Sequence, residues 1–275
     1  MPELPEVETV KNDLRRHVLG KTIESVDVLY EKIIKDIDVE TFKSALKGRT
    51  IEDVGRKGKY LLFFLTGAVL VSHLRMEGKY LIKKDEPPTK HEHVIFRFPD
   101  GTSLRYHDVR KFGTMNLFLT RNLEEIYRLP PLNKVGFDPF EKELTPESLY
   151  ERFRRIEKPI KSTLLDQTVM SGLGNIYADE VCFLAKIHPG TATNKLSLEQ
   201  VACLIEYSKQ VLTKAIALGG TTIKSFSSHE ISGRFQNELL VHTKEECPVC
   251  KGKILKIKIG GRSTYYCERC QTVLR

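Results

Sequence analysis

Met1-Pro2-Glu3-Leu4-Pro5-Glu6-Val7-Glu8-Thr9 opens the chain, and the reading of this stretch as far as Gly20 sets the frame for the rest. Val7, Val10, Leu14 and Val18 fall on one helical face and Gly20 is a fitting C-terminal stop, so an amphipathic helix is predicted over 5–19. Packed on a sheet, such a helix holds Pro2 and Glu3 rigidly at the rim of a cleft. Proline is small enough for the initiator methionine before it to be removed, which leaves Pro2 with a free secondary amine. An α-amino group titrates at about 7.7–8.0, far below a lysine, so much of it is neutral near pH 7. A neutral amine is a nucleophile that goes on to Schiff bases with carbonyl carbons. Glu3 adds a carboxyl in reach of the same centre. Glu6, in the first turn, is either a site group or a carboxylate favourably placed at a helix N-terminus. The plainer alternative is a second residue and a solvated helix start.

Beyond the helix come strand-like runs at Tyr60–Leu65, Val69–Leu74, Val94–Phe98, Ser103–Tyr106 and Thr114–Leu119, punctuated by Gly67, Gly78, Asp100-Gly101 and Gly113. Many short strands at this spacing predict an antiparallel sandwich rather than a parallel sheet. Residues 125–147 break the pattern with Pro130-Pro131, Pro139 and Pro146, and a linker is placed there. The periodicity then turns helical over Ser148–Ile156, Ser162–Met170, Ile176–Leu184 and Leu198–Leu218, with Thr145-Pro146-Glu147 as a capped start. The fold class is therefore α+β: an N-terminal antiparallel β-sandwich flanked by helices, a helical domain, and a β-hairpin that carries Cys247, Cys250, Cys267 and Cys270 in the spacing of a zinc finger. The boundaries are drawn at 1–130, 131–243 and 244–275. Cys182 and Cys203 are read as structural residues on apolar helical faces.

Cys247-x2-Cys250 and Cys267-x2-Cys270, sixteen residues apart, have the spacing of a four-thiolate zinc site. Such a site has no open coordination position, so its one zinc ion clamps a hairpin, with strands at Lys253–Ile259 and Ser263–Tyr266, that is too small to fold alone. His91 and His93 share one side of a strand but lack further ligands nearby, which weakens a metal reading there. The net charge is +8, and residues 244–275 carry eight Lys/Arg against three Glu, so this tail supplies most of it. That balance favours an anionic partner. No run of about 18 apolar residues is present, and the acidic, prolyl start is unlike a signal peptide. A cytosolic protein is expected, with no membrane partner and its cysteines on metal or as free thiols rather than in disulfides.

The string Pro2-Glu3-Leu4-Pro5-Glu6-Val7-Glu8-Thr9 resembles the amino terminus of the bacterial formamidopyrimidine-DNA glycosylases. Four further stretches resemble the same family in the same order: Arg56-Lys57-Gly58-Lys59-Tyr60, Asp108-Val109-Arg110-Lys111-Phe112-Gly113, Gln167 through Tyr177, and the four cysteines with Arg262. The resemblance implies a bifunctional DNA glycosylase and apurinic/apyrimidinic lyase for oxidised purines, chiefly 8-oxoguanine opposite cytosine and formamidopyrimidines. It implies Pro2 as nucleophile, Glu3 as acid, Glu6 beside them, Lys59 against the lesion and its phosphate, and Arg262 at the flanking phosphates and in the last elimination step. It implies that Met76, Arg110 and Phe112 fill the gap left by an extruded base, with Lys111 next to them, although read singly Met76 and Phe112 are core candidates. His73 and His91 match phosphate-contacting positions. Lys161 and Asn175 match backbone-binding residues of a helix–two-turn–helix, where Gly172 and Gly174 let the chain approach a phosphate. The loop at 219–236 matches one that closes over the extruded base. Val241-His242-Thr243 and Phe226 depart from the family's wording and bear on the geometry between that loop and the zinc hairpin.

The expected partner is double-stranded DNA carrying an oxidised purine, bound by a monomer in the bacterial cytoplasm and nucleoid. Two rival functions share part of this pattern. An endonuclease VIII-like enzyme shares Pro2 and zinc but removes oxidised pyrimidines. A non-catalytic zinc-containing DNA-binding protein leaves Pro2 and Glu3 without a purpose.

Overall fold

The computed structural model describes residues 1–221 and 233–272. Most of the loop expected to close over a base, Phe226 included, therefore lies outside the described residues. The chain divides into two compact units, Met1–Asn133 and Lys134–Thr221 with 234–272, and residues 244–272 pack within the second.

The first unit begins with α1 (Leu4–Val18), which buries Leu4, Val7, Val10, Leu14 and Val18 along one stripe. Nine described strands follow: β1 (Ser25–Val28), β2 (Ile34–Lys35), β3 (Ile51–Lys57), β4 (Tyr60–Leu65), β5 (Ala68–His73), β6 (Lys79–Lys84), β7 (Glu92–Arg97), β8 (Thr102–His107) and β9 (Thr114–Phe118). Helix α2 (Val39–Leu46) lies between β2 and β3, with Asp38 capping it through the Thr41 N–H. The strands form two sheets, β1-β7-β8-β6 and β2-β9-β5-β4-β3, antiparallel except for the β2–β9 pair. One apolar cluster joins Val7, Val10 and Leu14 of α1 to Leu61 and Phe63 of β4, Leu70 of β5, Phe96 of β7 and Leu104 of β8. Both sheets thus face a common core, the sandwich that the short strands predict. Each such side chain contributes about 1.5–3 kcal/mol by leaving water. Phe63, 2% exposed and edge-on to Tyr80, is one whose loss to alanine would cost about 3–5 kcal/mol. Helix α3 (Leu123–Arg128), capped by Asn122, runs into the stretch expected to be linker, 125–147.

The second unit holds α4 (Pro146–Phe153), α5 (Ile160–Leu164), α6 (Asn175–Leu184), α7 (Leu198–Ala217) and the hairpin β10 (Leu255–Ile259) and β11 (Arg262–Tyr266). Thr145 and Ser148 form a capping box on α4, and Ser197 and Gln200 another on α7. The helix expected over 162–170 is a single turn of five residues. It stops because Asp166 binds the N–H and hydroxyl of Thr168, at 3.1 and 2.7 Å, offering the backbone a turn in place of the next helical bond. Cys182 is buried in α6, where desolvation raises its thiol pKa. Cys203 corrects the reading of a second structural cysteine: it is exposed, one position off the buried Val201–Leu204–Ile205–Ser208 stripe of α7. Among the described residues, no helix is long and apolar enough to cross a membrane.

Candidate functional site

Glu3 is the N-cap residue of α1, with extended backbone, and its N–H donates to the Glu6 carboxylate at 2.9 Å in a capping box. Both carboxylates are buried, Glu3 4% and Glu6 1% exposed, whereas Met1 stands out at 40%. Pro2, between them, is buried. The start of the helix is fastened to the β3–β4 turn by Arg56, whose guanidinium meets Glu8 at 3.0 Å and the Gly58 carbonyl at 2.7 Å. Burial works against the Glu8 carboxylate, but hydrogen bonds from Lys11 and Arg56 hold its pKa below the ordinary value. That turn carries Lys57 and Lys59, both buried, and Lys57 lies over the Tyr127 ring at 5.5 Å. Local capping and the ion pairs of Glu8 with Lys11 and Arg56 therefore help to order residues 2–8.

The strand register gathers the remaining candidates of this unit at one end of the sandwich. Tyr60 pairs with His73 and His73 with Thr114, so the β3–β4 turn, the β5–β6 turn and the β8–β9 loop are neighbours. His73 is buried against the Tyr60 ring, and its Nδ1 accepts the Arg75 N–H at 2.9 Å, so its proton sits on Nε2. Burial, with the charges of Arg75 and Lys59 adding to it, pulls its pKa down to about 3. His73 is thus a neutral donor at pH 7, suited to a phosphate oxygen without adding charge. Met76 is half-buried in the turn that Gly78 N–H closes onto Leu74 O at 3.0 Å. Arg110 and Phe112 are exposed, Phe112 at 52%, with the guanidinium 4.7 Å from the Phe112 ring centre. Lys111 is exposed but rests its ammonium on the Tyr30 ring at 4.7 Å. His91 is half-buried beside His107, and its Nδ1 has no hydrogen-bond partner among the described residues. His93 turns inward to donate to Asp108 O at 2.8 Å, so it does not pair with His91 for a metal.

In the second unit the geometry departs from what the sequence led one to expect. Lys161 is fully buried: its Nζ donates to Asp179 Oδ1 at 2.7 Å and to Ser263 O at 2.9 Å. A side chain so enclosed is a strut between α5, α6 and the hairpin, and its ammonium is not presented to a phosphate. Asn175, the first residue of α6, donates to the same Ser263 carbonyl at 3.0 Å. Asp179 also binds His242 Nδ1 at 2.7 Å and the Tyr265 N–H at 3.2 Å. Glu180 collects the N–H groups of Leu240, Val241 and His242 at 2.7, 3.0 and 2.8 Å, and burial raises its pKa despite them. The hairpin is thereby docked on α6 with Arg262 exposed at its tip. Lys256 and Lys258 are exposed on alternate residues of β10.

The four cysteine sulfurs lie within 4.8 Å of one another, with Cys247–Cys270 at 3.7 Å and Cys250–Cys267 at 3.4 Å. A tetrahedron with Zn–S of about 2.3 Å sets sulfurs about 3.8 Å apart. The donor set therefore fits one zinc ion, the cofactor of this protein. Its surroundings are structural: Lys251 N–H donates to Cys247 O at 3.0 Å and Gln271 N–H to Cys267 O at 2.9 Å. The Gln271 amide ties the second knuckle to Ile187 O at 2.9 Å.

Several residues that organise these groups have no role assigned to them by the sequence. Gln167 spans the turn before α6, donating to Leu165 O and Leu173 O and accepting from Gly172 N–H. Asp108, Tyr106, Asp179 and Glu180 are fully or almost fully buried polar side chains with multiple partners. For Asp108 there was a signal, an aspartate opening a short loop that ends in glycine.

Comparison with known proteins adds to this geometry. Residues 1–115 match the formamidopyrimidine-DNA glycosylase N-terminal domain, residues 135–227 the H2TH domain of the same glycosylases, and residues 244–273 the zinc finger found in FPG and IleRS. The chain is 50% identical to the formamidopyrimidine-DNA glycosylase of Bacillus licheniformis, over 98% of this chain and 99% of that one. It is 47% identical to that of Oceanobacillus iheyensis, over 98% of each. Among solved structures, Lactococcus lactis Fpg bound to DNA containing N7-benzyl-Fapy-dG superposes with a TM-score of 0.90 at 41% identity, covering 98% of this chain and 99% of that one. A MutM complex with DNA containing carbocyclic 8-oxo-G gives 0.88 at 41%, covering 98% and 100%.

Proposed function

This chain belongs to the formamidopyrimidine-DNA glycosylase family, and from that membership we propose that its chemistry runs through the amine of Pro2. The protein is a base-excision repair glycosylase with apurinic/apyrimidinic lyase activity, and it holds one structural zinc ion. Its substrate is DNA carrying 8-oxoguanine opposite cytosine or a formamidopyrimidine, bound by a monomer in the cytoplasm. Removal of Met1 frees the Pro2 nitrogen, which attacks C1′ of the extruded nucleotide while Glu3 protonates the sugar ring oxygen. The ring opens, the base leaves, and the Schiff base acidifies the C2′ proton. Successive β- and δ-elimination then cut the phosphodiester bonds on either side.

The observation that supports this most directly is the placement of Pro2 and Glu3 at a rigid, capped helix start tied to the turn that bears Lys59. Lys59 and Arg262 are assigned to the phosphates about the lesion, and Glu6 to the orientation of Glu3. Met76, Arg110 and Phe112 are assigned to the gap in the duplex. Zinc supplies no step of the reaction, because four thiolates complete its coordination. Lys161 acts from inside the fold, by holding Ser263 and hence the strand that begins at Arg262.

Borohydride trapping on an 8-oxoguanine:cytosine duplex, with peptide mapping of the adduct, tests the assignment. A covalent complex at Pro2, and its loss in Pro2→Gly, is expected. Absence of an adduct from protein shown to lack Met1 and to bind the duplex would overturn it.

A further inference from the structure

We propose that Tyr106 and Asp108 are positioning residues that lock the turn bearing Met76 and the loop bearing Arg110 and Phe112 into one rigid edge, ordered before DNA arrives. This rests on the reading of those three side chains as the group that fills the vacated stack.

The two segments are far apart in sequence and are joined through one hydroxyl. A methyl group at Gly78 would lie 2.2 Å from the Tyr106 hydroxyl oxygen, and one at Gly113 only 1.6 Å from it. The phenol therefore occupies the space that side chains at both positions would need, touching the end of one segment and the end of the other. No residue but glycine permits that approach. The hydroxyl donates to Asp108 Oδ2 at 3.3 Å. The Asp108 carboxylate also receives the N–H groups of Arg110, Phe112 and Gly113 at 2.9, 2.8 and 2.9 Å. A loop of this length with three amides on one carboxylate has little conformational freedom left. The Asp108 carbonyl is held in turn by His93, and Lys111 is held on Tyr30. Tyr106 and Asp108 are themselves 0% exposed, so neither reaches a nucleic acid and each acts through the exposed pair above it.

The consequence concerns base extrusion and not bond cleavage. Unstacking a base has a cost of a few kcal/mol. A filling group that must first become ordered loses backbone entropy at that moment, residue by residue. Fixing Arg110 and Phe112 in advance removes that loss, so loosening them should slow work on duplex DNA and spare an abasic sugar in a single strand, which needs no extrusion.

The test uses the zinc-loaded full chain and three variants, Tyr106→Phe, Asp108→Asn and Phe112→Ala. Single-turnover base release is measured on 8-oxoguanine duplexes with cytosine or adenine opposite, and strand cleavage on a single-stranded abasic oligonucleotide. Tyr106→Phe and Asp108→Asn should each slow duplex base release about tenfold, the equivalent of about 1.4 kcal/mol. They should also narrow the preference for cytosine, while single-strand cleavage stays within about twofold. Phe112→Ala should show the same split. The chain has no tryptophan, so Phe112→Trp supplies a single reporter whose fluorescence anisotropy should fall when Tyr106→Phe is added. An equal loss on duplex and single strand would mark a merely structural role and overturn the proposal. So would unaffected Tyr106→Phe beside an impaired Phe112→Ala. If Phe112→Ala shows no split, the stack-filling reading itself fails and takes the proposal with it.

Discussion

Replacing Lys161 by methionine separates two roles that the residue could have. The substitution keeps most of the volume and removes the charge. Asp179 would then lose the partner at 2.7 Å, and Ser263 O would lose the Lys161 donor and keep Asn175. Breaking a buried ion pair from one side costs about 3–5 kcal/mol. Asp179 retains His242 and the Tyr265 N–H, and the carbonyl retains Asn175, so the lower end, about 3 kcal/mol, is expected here. At about 2–4 °C per kcal/mol for a unit of this size, the melting temperature of the zinc-loaded protein should fall by about 6–12 °C. Lys161→Met with Asp179→Asn should recover much of it, because no unpaired charge is left inside. The salt dependence of binding to undamaged duplex should keep its slope. A lysine bound to a phosphate predicts the reverse: a slope smaller by about 0.9 and a nearly unchanged melting temperature. That second pattern, measured by circular dichroism and a salt titration, would refute the buried-strut account.

Two further outcomes follow from the same contacts. Stripping zinc with a chelator should release the four thiolates, unfold the hairpin and abolish duplex binding, while the first unit retains its strand signal; one zinc per chain by colorimetric release, and loss of near-ultraviolet dichroism from Tyr265 and Tyr266, check it. A chelated protein that still binds DNA as before would show that the hairpin folds without metal. His73 gives a pH effect of fixed sign. Its folded pKa of about 3 lies below the ordinary 6.5, so between those values the unfolded chain carries a proton that the folded chain lacks. Stability from the neutral ring is therefore complete above pH 6.5 and declines as pH falls, by at most about 1.4 kcal/mol per unit. Urea midpoints from pH 7 to 5 should drop less in His73→Gln than in the parent, and identical pH dependence in the two would contradict the burial argument.

The architecture was legible where periodicity was clean. Val7, Val10, Leu14 and Val18 mark α1 at its 3.6-residue repeat, and the apolar runs at β4 and β5 mark strands. The cysteine spacing marks the metal site for a chemical reason, since few other folds need four thiols so arranged. What escaped was structure held by distant partners. Strand β3 has no alternation, and Gly55 interrupts it because a Cβ there would lie 2.7 Å from the Phe64 ring. Strand β6 is lysine-rich and reads as surface until its pairing with β8 is known. Lys161 is read as a DNA-backbone contact by resemblance alone, because its partners Asp179 and Ser263 lie 18 and 102 residues away in the chain. Burial of a charge is a property of the partner as much as of the residue. The same holds for Asp108, whose neighbours in sequence hint at a turn but whose meeting with Tyr106, Gly78 and Gly113 belongs to the sheet.

The Ser263 carbonyl, met by both Lys161 and Asn175, gives the junction an uneven mutational profile. Its acceptor belongs to the main chain, so no exchange of side chain at position 263 deletes it, short of a proline that would disturb the strand. Its donors are side chains, each removable by a single codon change. A saturation screen would score position 263 as indifferent and positions 161 and 175 as exacting, although all three share one oxygen atom. Tolerance at a site therefore measures which half of a contact the gene spells out, and an unremarkable column in such a screen can still mark a joint on which Arg262 next door depends.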